Sequence, residues 1–317
     1  GTARVGYRVA ALCGFILCVF GAAPGVAQAL ADEDRAAIDA VVTEVLADTE
    51  APGASVAVVR DGRLVYARAF GIGRLDPEER ANPEMRYAIG SVSKQFTAAA
   101  VLLLAEEGRL SLDDPVARWL PELTRAEEVT IRQLLSMTSG YQDYWPHDYV
   151  FPAMLEPVAP GGILDRWARK PLDFDPGSEW QYSNTNYVIA GRIVERVAGK
   201  GVLELLRERV FGPLGMSTVR DFDAGPLTTE DAGAYLRNAL GPLRPAPKEA
   251  EGWLFAAGGL AMTASDLARW DVAMIEQAIL RPESWRAMQT ETRLRSGLAV
   301  GYGLGVGVGS VDGRRRI

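Results

Sequence analysis

The spacing of apolar residues changes twice within the first seventy residues of the chain. Residues 32–50 carry apolar side chains at the three- and four-residue intervals of one helix face, namely Ile38, Val41, Val42 and Val45. Residues 54–60 and 63–70 are instead β-branched runs on either side of Asp61-Gly62, a strong local signal for a hairpin. The pattern predicts a surface helix followed by two antiparallel strands.

The middle of the chain returns to the helical period. A short strand over Tyr87–Gly90 is expected to lead into a helix that begins at Ser91, presents apolar residues on one side and ends at Glu107, before Gly108. Thr130 is expected to cap a short helix up to Met137. Two further helices are predicted, over residues 184–198 and 202–211.

Glycine and proline are frequent in the last third of the chain and affect the structure predicted there. Residues 221–250 are rich in both and predict a surface loop. Ser265 is expected to cap a further helix, which should bury Leu267, Trp270, Met274 and Ile275. Every second residue from Gly301 to Gly309 is glycine, which suggests a strand, and Asp312-Gly313 suggests a turn after it.

Residues 1–29 have the pattern of a secretory signal peptide. Arg4 and Arg8 precede an apolar run over residues 9–23, and the small-x-small triplet at 27–29 predicts cleavage after Ala29. An N-terminal membrane anchor is the alternative, although the run is shorter than the ~20 residues that a span needs. We therefore expect one domain over residues 30–317, secreted or periplasmic, with no stable membrane span after cleavage.

Composition and charge exclude several classes of protein. The formal net charge is −7 and becomes more negative once Arg4 and Arg8 are removed, so binding to nucleic acid is not expected. Cys13 and Cys18 are the only cysteines, and both lie in the predicted signal peptide. The mature chain should therefore contain no disulfide and no thiol nucleophile.

Histidine chemistry is also disfavoured. His147 is the only histidine, it lies in an aromatic loop, and no Gly-x-Ser-x-Gly nucleophile elbow accompanies it. We interpret it as a loop histidine. Zinc usually requires three protein ligands drawn from His, Cys and carboxylate, and no phosphate-binding glycine loop is present. No metal or cofactor is expected.

Ser91 and Lys94 are the first candidate catalytic pair. Residues three apart on a helix share a face, so the Lys94 amine should reach the Ser91 hydroxyl. The helix N-terminus favours the negative charge that develops during acyl transfer. Burial against the apolar helix face would lower the Lys94 pKa and make a neutral amine available as a base. Ser-x-x-Lys alone is a weak signal.

Tyr182-Ser183-Asn184 supplies a second group of candidates. A phenol beside an ammonium is pushed towards phenolate, so Tyr182 could accept the Ser91 proton and pass it to a leaving group. Asn184 offers an amide that could orient both Lys94 and the substrate. The alternative reading makes Tyr182 a core aromatic and Asn184 the cap of the next helix.

These two motifs resemble those of the serine β-lactamase and penicillin-binding-protein-like family, which includes class C β-lactamases, D-Ala-D-Ala carboxypeptidases and related esterases. Three longer blocks also look like family segments in family order, over residues 131–140, 174–187 and 257–269. The resemblance implies an α/β (α+β) fold of the β-lactamase/transpeptidase type. In that fold an antiparallel sheet with flanking helices carries an inserted helical lobe.

The resemblance further implies a serine hydrolase that forms an acyl-enzyme on Ser91. Lys94 and Tyr182 would be catalytic, and Asn184 would bind a small acyl substrate, namely a peptide, β-lactam or ester. A carboxylesterase or D-amino-acid peptidase is the alternative enzyme. The alternative outside the enzymes is a sensor that binds penicillin or peptidoglycan and does not turn it over. The sequence does not indicate an oligomeric state.

A third family motif, Lys-Thr-Gly or His-x-Gly, does not occur after Asn184. In the family its strand supplies an oxyanion-hole N–H, and losing one such donor typically costs ~10²–10³ in rate. We therefore expect that the last sheet strands are missing and that a sheet edge is unpaired. The 317-residue chain should then be poorly soluble or inactive, and robust nitrocefin turnover would contradict this expectation.

Overall fold

A computed structural model describes residues 30–146, 149–237 and 241–317 of the chain. Its helices are α1 Asp32–Thr49, α2 Ser93–Glu106, α3 Ile131–Leu135, α4 Pro160–Ile163, α5 Asn184–Ala198, α6 Val202–Leu206, α7 Phe255–Gly258, α8 Ala264–Glu276 and α9 Pro282–Gln289. Its strands are β1 Gly53–Arg60, β2 Arg63–Leu75, β3 Glu78–Arg80, β4 Tyr87–Ala88, β5 Arg220–Asp221, β6 Tyr235–Leu236, β7 Arg244–Pro245, β8 Leu260–Met262, β9 Gly309–Val311 and β10 Arg314–Arg316. Residues 1–29, with the predicted signal peptide, and His147 lie outside the described residues.

The predicted hairpin is confirmed. Strands β1 and β2 pair antiparallel across Asp61 and Gly62, both of which have positive φ, as a tight two-residue turn requires. Strand β2 then pairs with β3, which the sequence pattern did not indicate. Both α1 and α8 pack on this hairpin, and α1 has no buried residue, which confirms a surface helix. Within the described residues β1 pairs only with β2, so the other edge of β1 has no strand partner there.

Helix α2 lies at the centre of the molecule, and the expectation of a single apolar side was wrong. Every residue from Phe96 to Leu104 is buried, because α5, α6, α7 and α9 all contact α2. Its apolar residues are not confined to one stripe, and alanines 98–100 let neighbouring helices approach closely. A single-turn 3₁₀ segment, Gly90–Val92, precedes the helix and carries the first candidate residue.

Helix α5 matches its predicted bounds, but two cap assignments change. Asn184 is the first residue of α5 and is not its cap, because Ser183 occupies that position in extended conformation. Helix α8 is capped by Thr263, whose hydroxyl accepts the Asp266 N–H, and not by Ser265. Thr130 caps α3 as predicted, although α3 ends at Leu135, before Met137.

Burial along α8 was predicted only in part. Trp270 is fully buried against the rings of Phe96 and Trp285. Ile275, however, is 61% exposed, so its predicted burial was wrong. The buried face of α8 is formed by Asp266, Ala268, Trp270 and Ala273.

Residues 301–308 do not form the predicted glycine-alternating strand. Gly301 and Gly305 have φ of +68° and +80°, so the chain bends twice instead of running extended. A Cβ on Gly305 would lie 2.9 Å from the Lys94 carbonyl oxygen. These glycines therefore allow the segment to turn and to approach α2. The predicted turn at Asp312-Gly313 does form and joins β9 to β10.

The described residues within 221–237 and 241–250 form the expected loop, apart from the end of β5 and the short strands β6 and β7, which pair with each other. Strand β8 lies between β4 and β5 in an antiparallel three-stranded sheet. This sheet joins the chain just before Ser91 to the segment around α7. None of the helices within the described ranges has the length and apolar character needed to span a bilayer.

Candidate active site

Ser91 is an exposed residue at the point where β4 gives way to α2. Gly90, immediately before it, has a φ of +50°, which turns the chain from the strand into the helix. The Ser91 hydroxyl therefore lies at the N-terminal end of a buried helix, where backbone N–H groups favour negative charge.

Lys94 is buried one helical turn further on and is 1% exposed. Its Nζ lies 2.9 Å from Ser91 Oγ, 2.8 Å from Asn184 Oδ1 and 2.7 Å from the Ala257 carbonyl oxygen. A buried charge is tolerated only when hydrogen bonds replace its hydration. These three acceptors match the three N–H donors of an ammonium group.

Tyr182 completes the contacts of the nucleophile. Its hydroxyl oxygen lies 2.6 Å from Ser91 Oγ, and Lys94 Nζ lies 4.9 Å from the centre of its ring. Tyr187 also lies near Lys94, but its hydroxyl donates to the Leu135 carbonyl, and burial raises its pKa well above the usual value. Tyr182 is therefore the phenol that can exchange a proton with Ser91.

Asn184 links Lys94 to a carboxylate that the sequence argument missed. Its Oδ1 faces Lys94, while its backbone N–H and its Nδ2 donate to Asp143 Oδ1 at 2.9 and 3.2 Å. The Trp145 N–H also donates to Asp143. Burial raises the pKa of Asp143, and these donors and Lys94 act in the opposite direction.

Asp143 thereby satisfies an N–H at the start of α5 that has no partner within the helix. Its sequence signal is weak, because only its position three residues after Gly140 connects it to a family block.

Helix α7 brings the Ala257 carbonyl to Lys94. Two hydrogen bonds fasten this segment to α2: the Thr97 hydroxyl donates to the Ala256 carbonyl at 2.7 Å, and the Leu260 N–H donates to the Ser93 hydroxyl at 3.2 Å. The site thus draws on β4, α2, α5 and α7. Every residue has a backbone carbonyl, so the residue types in the sequence could not indicate this contact.

Ser91 opens into a cavity of about 320 Å³. Its described lining is Ala88, Gly90, Ser91, Tyr144, Trp145, Asn184, Phe222, Glu249, Leu254, Ala257 and Gly258. The walls are mainly apolar and aromatic, with a few polar groups near the nucleophile, as is usual for sites that bind small molecules. Ser91 and Asn184 line this cavity, and hydrogen bonds join them to Lys94 and Tyr182, so the structure brings all four predicted residues together.

Within the described ranges, no group of three or more His, Cys, Asp or Glu side chains is arranged to hold a metal ion. The site groups a hydroxyl, an amine, a phenol and an amide, each within hydrogen-bonding distance of at least one other. That set suits nucleophilic acyl transfer.

Comparison with known proteins identifies the family of the chain. The sequence matches the Beta-lactamase family over residues 38–317. It is 30% identical over 286 residues to a D-aminopeptidase from Brucella anthropi, covering 89% of this chain and 54% of that protein. It is 27% identical to penicillin-binding protein 4* from Bacillus subtilis, covering 83% of this chain and 61% of that protein. The chain thus spans little more than half the length of these curated relatives.

Solved structures show the same fold. A D-stereospecific amidohydrolase from a Streptomyces species superposes with a TM-score of 0.74 and is 29% identical, covering 86% of this chain and 84% of that one. The described residues therefore adopt the mixed α/β fold that the sequence resemblance implied, with helices packed on small antiparallel sheets.

Proposed function

The chain belongs to the Beta-lactamase family, and from this premise we propose that it is a serine hydrolase that forms an acyl-enzyme on Ser91. The substrate is a small molecule with an amide, β-lactam or ester carbonyl. The observation that carries the proposal is the position of Ser91 Oγ, 2.9 Å from the Lys94 amine and 2.6 Å from the Tyr182 hydroxyl. Both groups are within hydrogen-bond reach of the proton that must leave the nucleophile.

Of the two proton paths open from the sequence, we propose the one through Tyr182, whose hydroxyl oxygen lies 2.6 Å from Ser91 Oγ. The Asn184 amide oxygen and the Ala257 carbonyl are both acceptors, so each needs an N–H from Lys94. A neutral amine supplies both and leaves its lone pair facing Ser91, whereas an ammonium supplies both and has a third N–H for Ser91 Oγ, so these contacts fit either protonation state. A charged Lys94 also stabilises a phenolate on Tyr182, which then takes the Ser91 proton.

The reaction follows from these positions. Ser91 Oγ bonds to the carbonyl carbon as its proton passes to Tyr182, and backbone N–H groups at the start of α2 stabilise the negative oxygen. The bond to the leaving group breaks, and Tyr182 returns the proton to it. In the second half a water molecule gives a proton to Tyr182 and attacks the ester, which releases the acid and restores the Ser91 hydroxyl.

Labelling of Ser91 tests the proposal directly. Modification of Ser91 requires only the first half of the reaction, so it can be detected even where a missing oxyanion-hole donor makes turnover too slow to observe. We expect a fluorophosphonate probe or a labelled penicillin to modify the chain once, on the peptide that contains Ser91, as read by mass spectrometry. The Ser91→Ala variant should remain unlabelled while its circular dichroism spectrum is unchanged. Labelling that persists in Ser91→Ala would show that the nucleophile lies elsewhere.

A D-amino-acid peptidase or amidase is the second candidate, and it is favoured by the similarity to the D-aminopeptidase and to the D-stereospecific amidohydrolase. A sensor without turnover would instead retain a stable acyl adduct on Ser91. Nucleic acid is not expected as a partner. Cleavage after Ala29 would place the protein in the periplasm or outside the cell, and N-terminal sequencing of the secreted form tests this.

A further inference from the structure

We propose that Glu249 forms a cation subsite beside the nucleophile and selects substrates whose acyl part carries a positively charged group, such as a free α-ammonium. This inference rests on the proposed function and specifies its substrate class. Among the described residues that line the Ser91 cavity, Glu249 is the only one with a charged side chain.

The Glu249 carboxylate forms no ion pair within the described part of the chain. Its neighbour Lys248 is directed elsewhere: the Lys248 amine lies 5.0 Å from the centre of the Phe222 ring and 3.4 Å from the Asp223 carbonyl oxygen. It also donates to the backbone carbonyl of Glu249, at 3.3 Å, and not to the side chain. The carboxylate at the cavity wall is therefore available to a ligand.

This carboxylate is also poorly hydrated. Burial raises the pKa of Glu249, the nearby Asp223 carboxylate raises it further, and its own backbone N–H and Lys248 oppose the shift. A half-buried carboxylate gains more from a bound cation than an exposed one does, because less water screens the pair. The group that completes this site is a cation from the ligand.

The backbone that follows Glu249 is held by several hydrogen bonds. The Ala250 N–H donates to the Met154 carbonyl at 2.8 Å, and the Glu251 carbonyl accepts the Val158 N–H at 2.9 Å. The Asp223 carboxylate then accepts three N–H groups from the following turn, those of Gly252, Leu254 and Phe255. The segment that follows Glu249 is thus anchored at several points, so binding does not have to order it.

The neighbouring walls suit an ammonium attached to an apolar group. Trp145 packs against the small apolar cluster formed by Phe222, Leu254 and Ala261. Three of these four side chains line the cavity together with Tyr144. Aromatic rings attract cations through their faces, and apolar walls accept an aliphatic or aromatic side chain. An amino-acyl group with an apolar side chain combines both properties.

Binding to a chain without its nucleophile tests the proposal apart from catalysis. In the Ser91→Ala background, calorimetry would compare phenylalanine amide of D configuration with its N-acetyl derivative, which lacks the positive charge. We expect the free amine to bind roughly ten- to a hundredfold more tightly, as for a hydrogen bond to a charged group. Glu249→Gln should abolish this preference and leave affinity for the N-acetyl compound unchanged.

Glu251→Gln is the matched control, because Glu251 is exposed on the same segment and does not line the cavity. It should retain the preference. Equal affinity for the two ligands, a preference that survives Glu249→Gln, or no binding of the free amine would each overturn the cation subsite. Failure of the proposed hydrolase is a separate result, seen as absence of Ser91 labelling in the unmodified chain.

Discussion

Asp143 accepts hydrogen bonds from both the backbone and the side-chain nitrogen of Asn184, and so fixes which end of the Asn184 amide faces Lys94. The amide has a donor end and an acceptor end. With the donor end bound to the carboxylate, the oxygen is left to accept from the Lys94 amine at 2.8 Å. Asp143 is therefore a positioning residue that acts on the catalytic lysine through Asn184.

Removal of this carboxylate should slow acylation of Ser91. In Asp143→Ala the Asn184 side chain loses the partner that holds its orientation, and small misplacements near a nucleophile are costly. We expect the fluorophosphonate labelling rate to fall roughly 10- to 100-fold. Asp143→Asn keeps an acceptor oxygen and should restore part of the rate, which a general loss of packing would not allow. Asp165→Asn, an exposed carboxylate, should have no effect.

Tyr182→Phe separates the two proton paths. The variant keeps the ring beside Lys94 and loses only the hydroxyl that lies 2.6 Å from Ser91 Oγ. If Tyr182 is the base, labelling should slow by ~10²–10⁴, the usual contribution of a general base. Stopped-flow measurement of p-nitrophenol release from an activated ester would give the acylation rate. Glu179→Gln, exposed on the same segment, is the control. A rate within twofold of the unmodified chain would assign the proton transfer to Lys94.

Gly305→Ala tests the close approach of the C-terminal segment to α2. Gly305 has a φ of +80°, and an added Cβ would lie 2.9 Å from the Lys94 carbonyl oxygen and 3.0 Å from the Tyr187 hydroxyl. We expect the free energy of unfolding to fall by about 1–3 kcal/mol, measured by urea denaturation. Gly307→Ala is the matched control, because nothing lies within 4 Å of its added Cβ. Similar stability of the two variants would contradict this account of the glycine-rich segment.

Stability should depend on pH through Glu249. Because burial raises its pKa, the folded chain binds a proton at this carboxyl more tightly than the unfolded chain does. The stability gained from this tighter proton binding is therefore fully present below the unfolded-state pKa. It is lost as the pH rises through the folded-state pKa. Two neighbouring charges also act on this pKa: the Asp223 carboxylate raises it, and the Lys248 amine, although it is directed elsewhere, lowers it.

Glu249→Gln removes this titration. We expect the variant to be more stable than the unmodified chain at pH 7, and the advantage to shrink as the pH falls below the ordinary glutamate range. Urea denaturation of both proteins at several pH values between 4 and 7 measures the difference. Glu251→Gln should show no comparable change. A difference that does not vary with pH would indicate that the Glu249 carboxyl is fully hydrated.

The sequence best predicts those structural features that depend only on residues close together in the chain. Asp61 and Gly62 alone determine the tight turn of the hairpin, and Gly199, with its positive φ, ends α5 where the pattern predicted. The cap of α8 was misplaced by two residues because Thr263 and Ser265 are both good capping residues. The spacing of Thr263 and Asp266 resembles a capping box and would have distinguished them.

Contacts between distant parts of the chain account for most of what was missed. Asp143 reaches the site through its hydrogen bonds with Asn184, and Ala257 because α7 packs on α2. Glu249 lies in a loop whose next residue, Ala250, is hydrogen-bonded to Met154. The glycines from 301 to 309 were misread because alternation alone does not reveal the sign of φ. Ser91 and Lys94 were accessible to sequence reasoning because one helical turn joins them.

Because α2 is buried on all sides, the reactivity of Ser91 should depend on the packing of the whole core. A helix enclosed by four others cannot slide or rotate on its own, so the nucleophile and its lysine move only when the whole core moves. Substitution of Phe96 or Trp270 by a smaller residue would leave a cavity in the core. Such a substitution should therefore change the rate at which Ser91 reacts, although neither residue lines the Ser91 cavity. Reactivity towards an active-site probe becomes an assay for the integrity of the folded state.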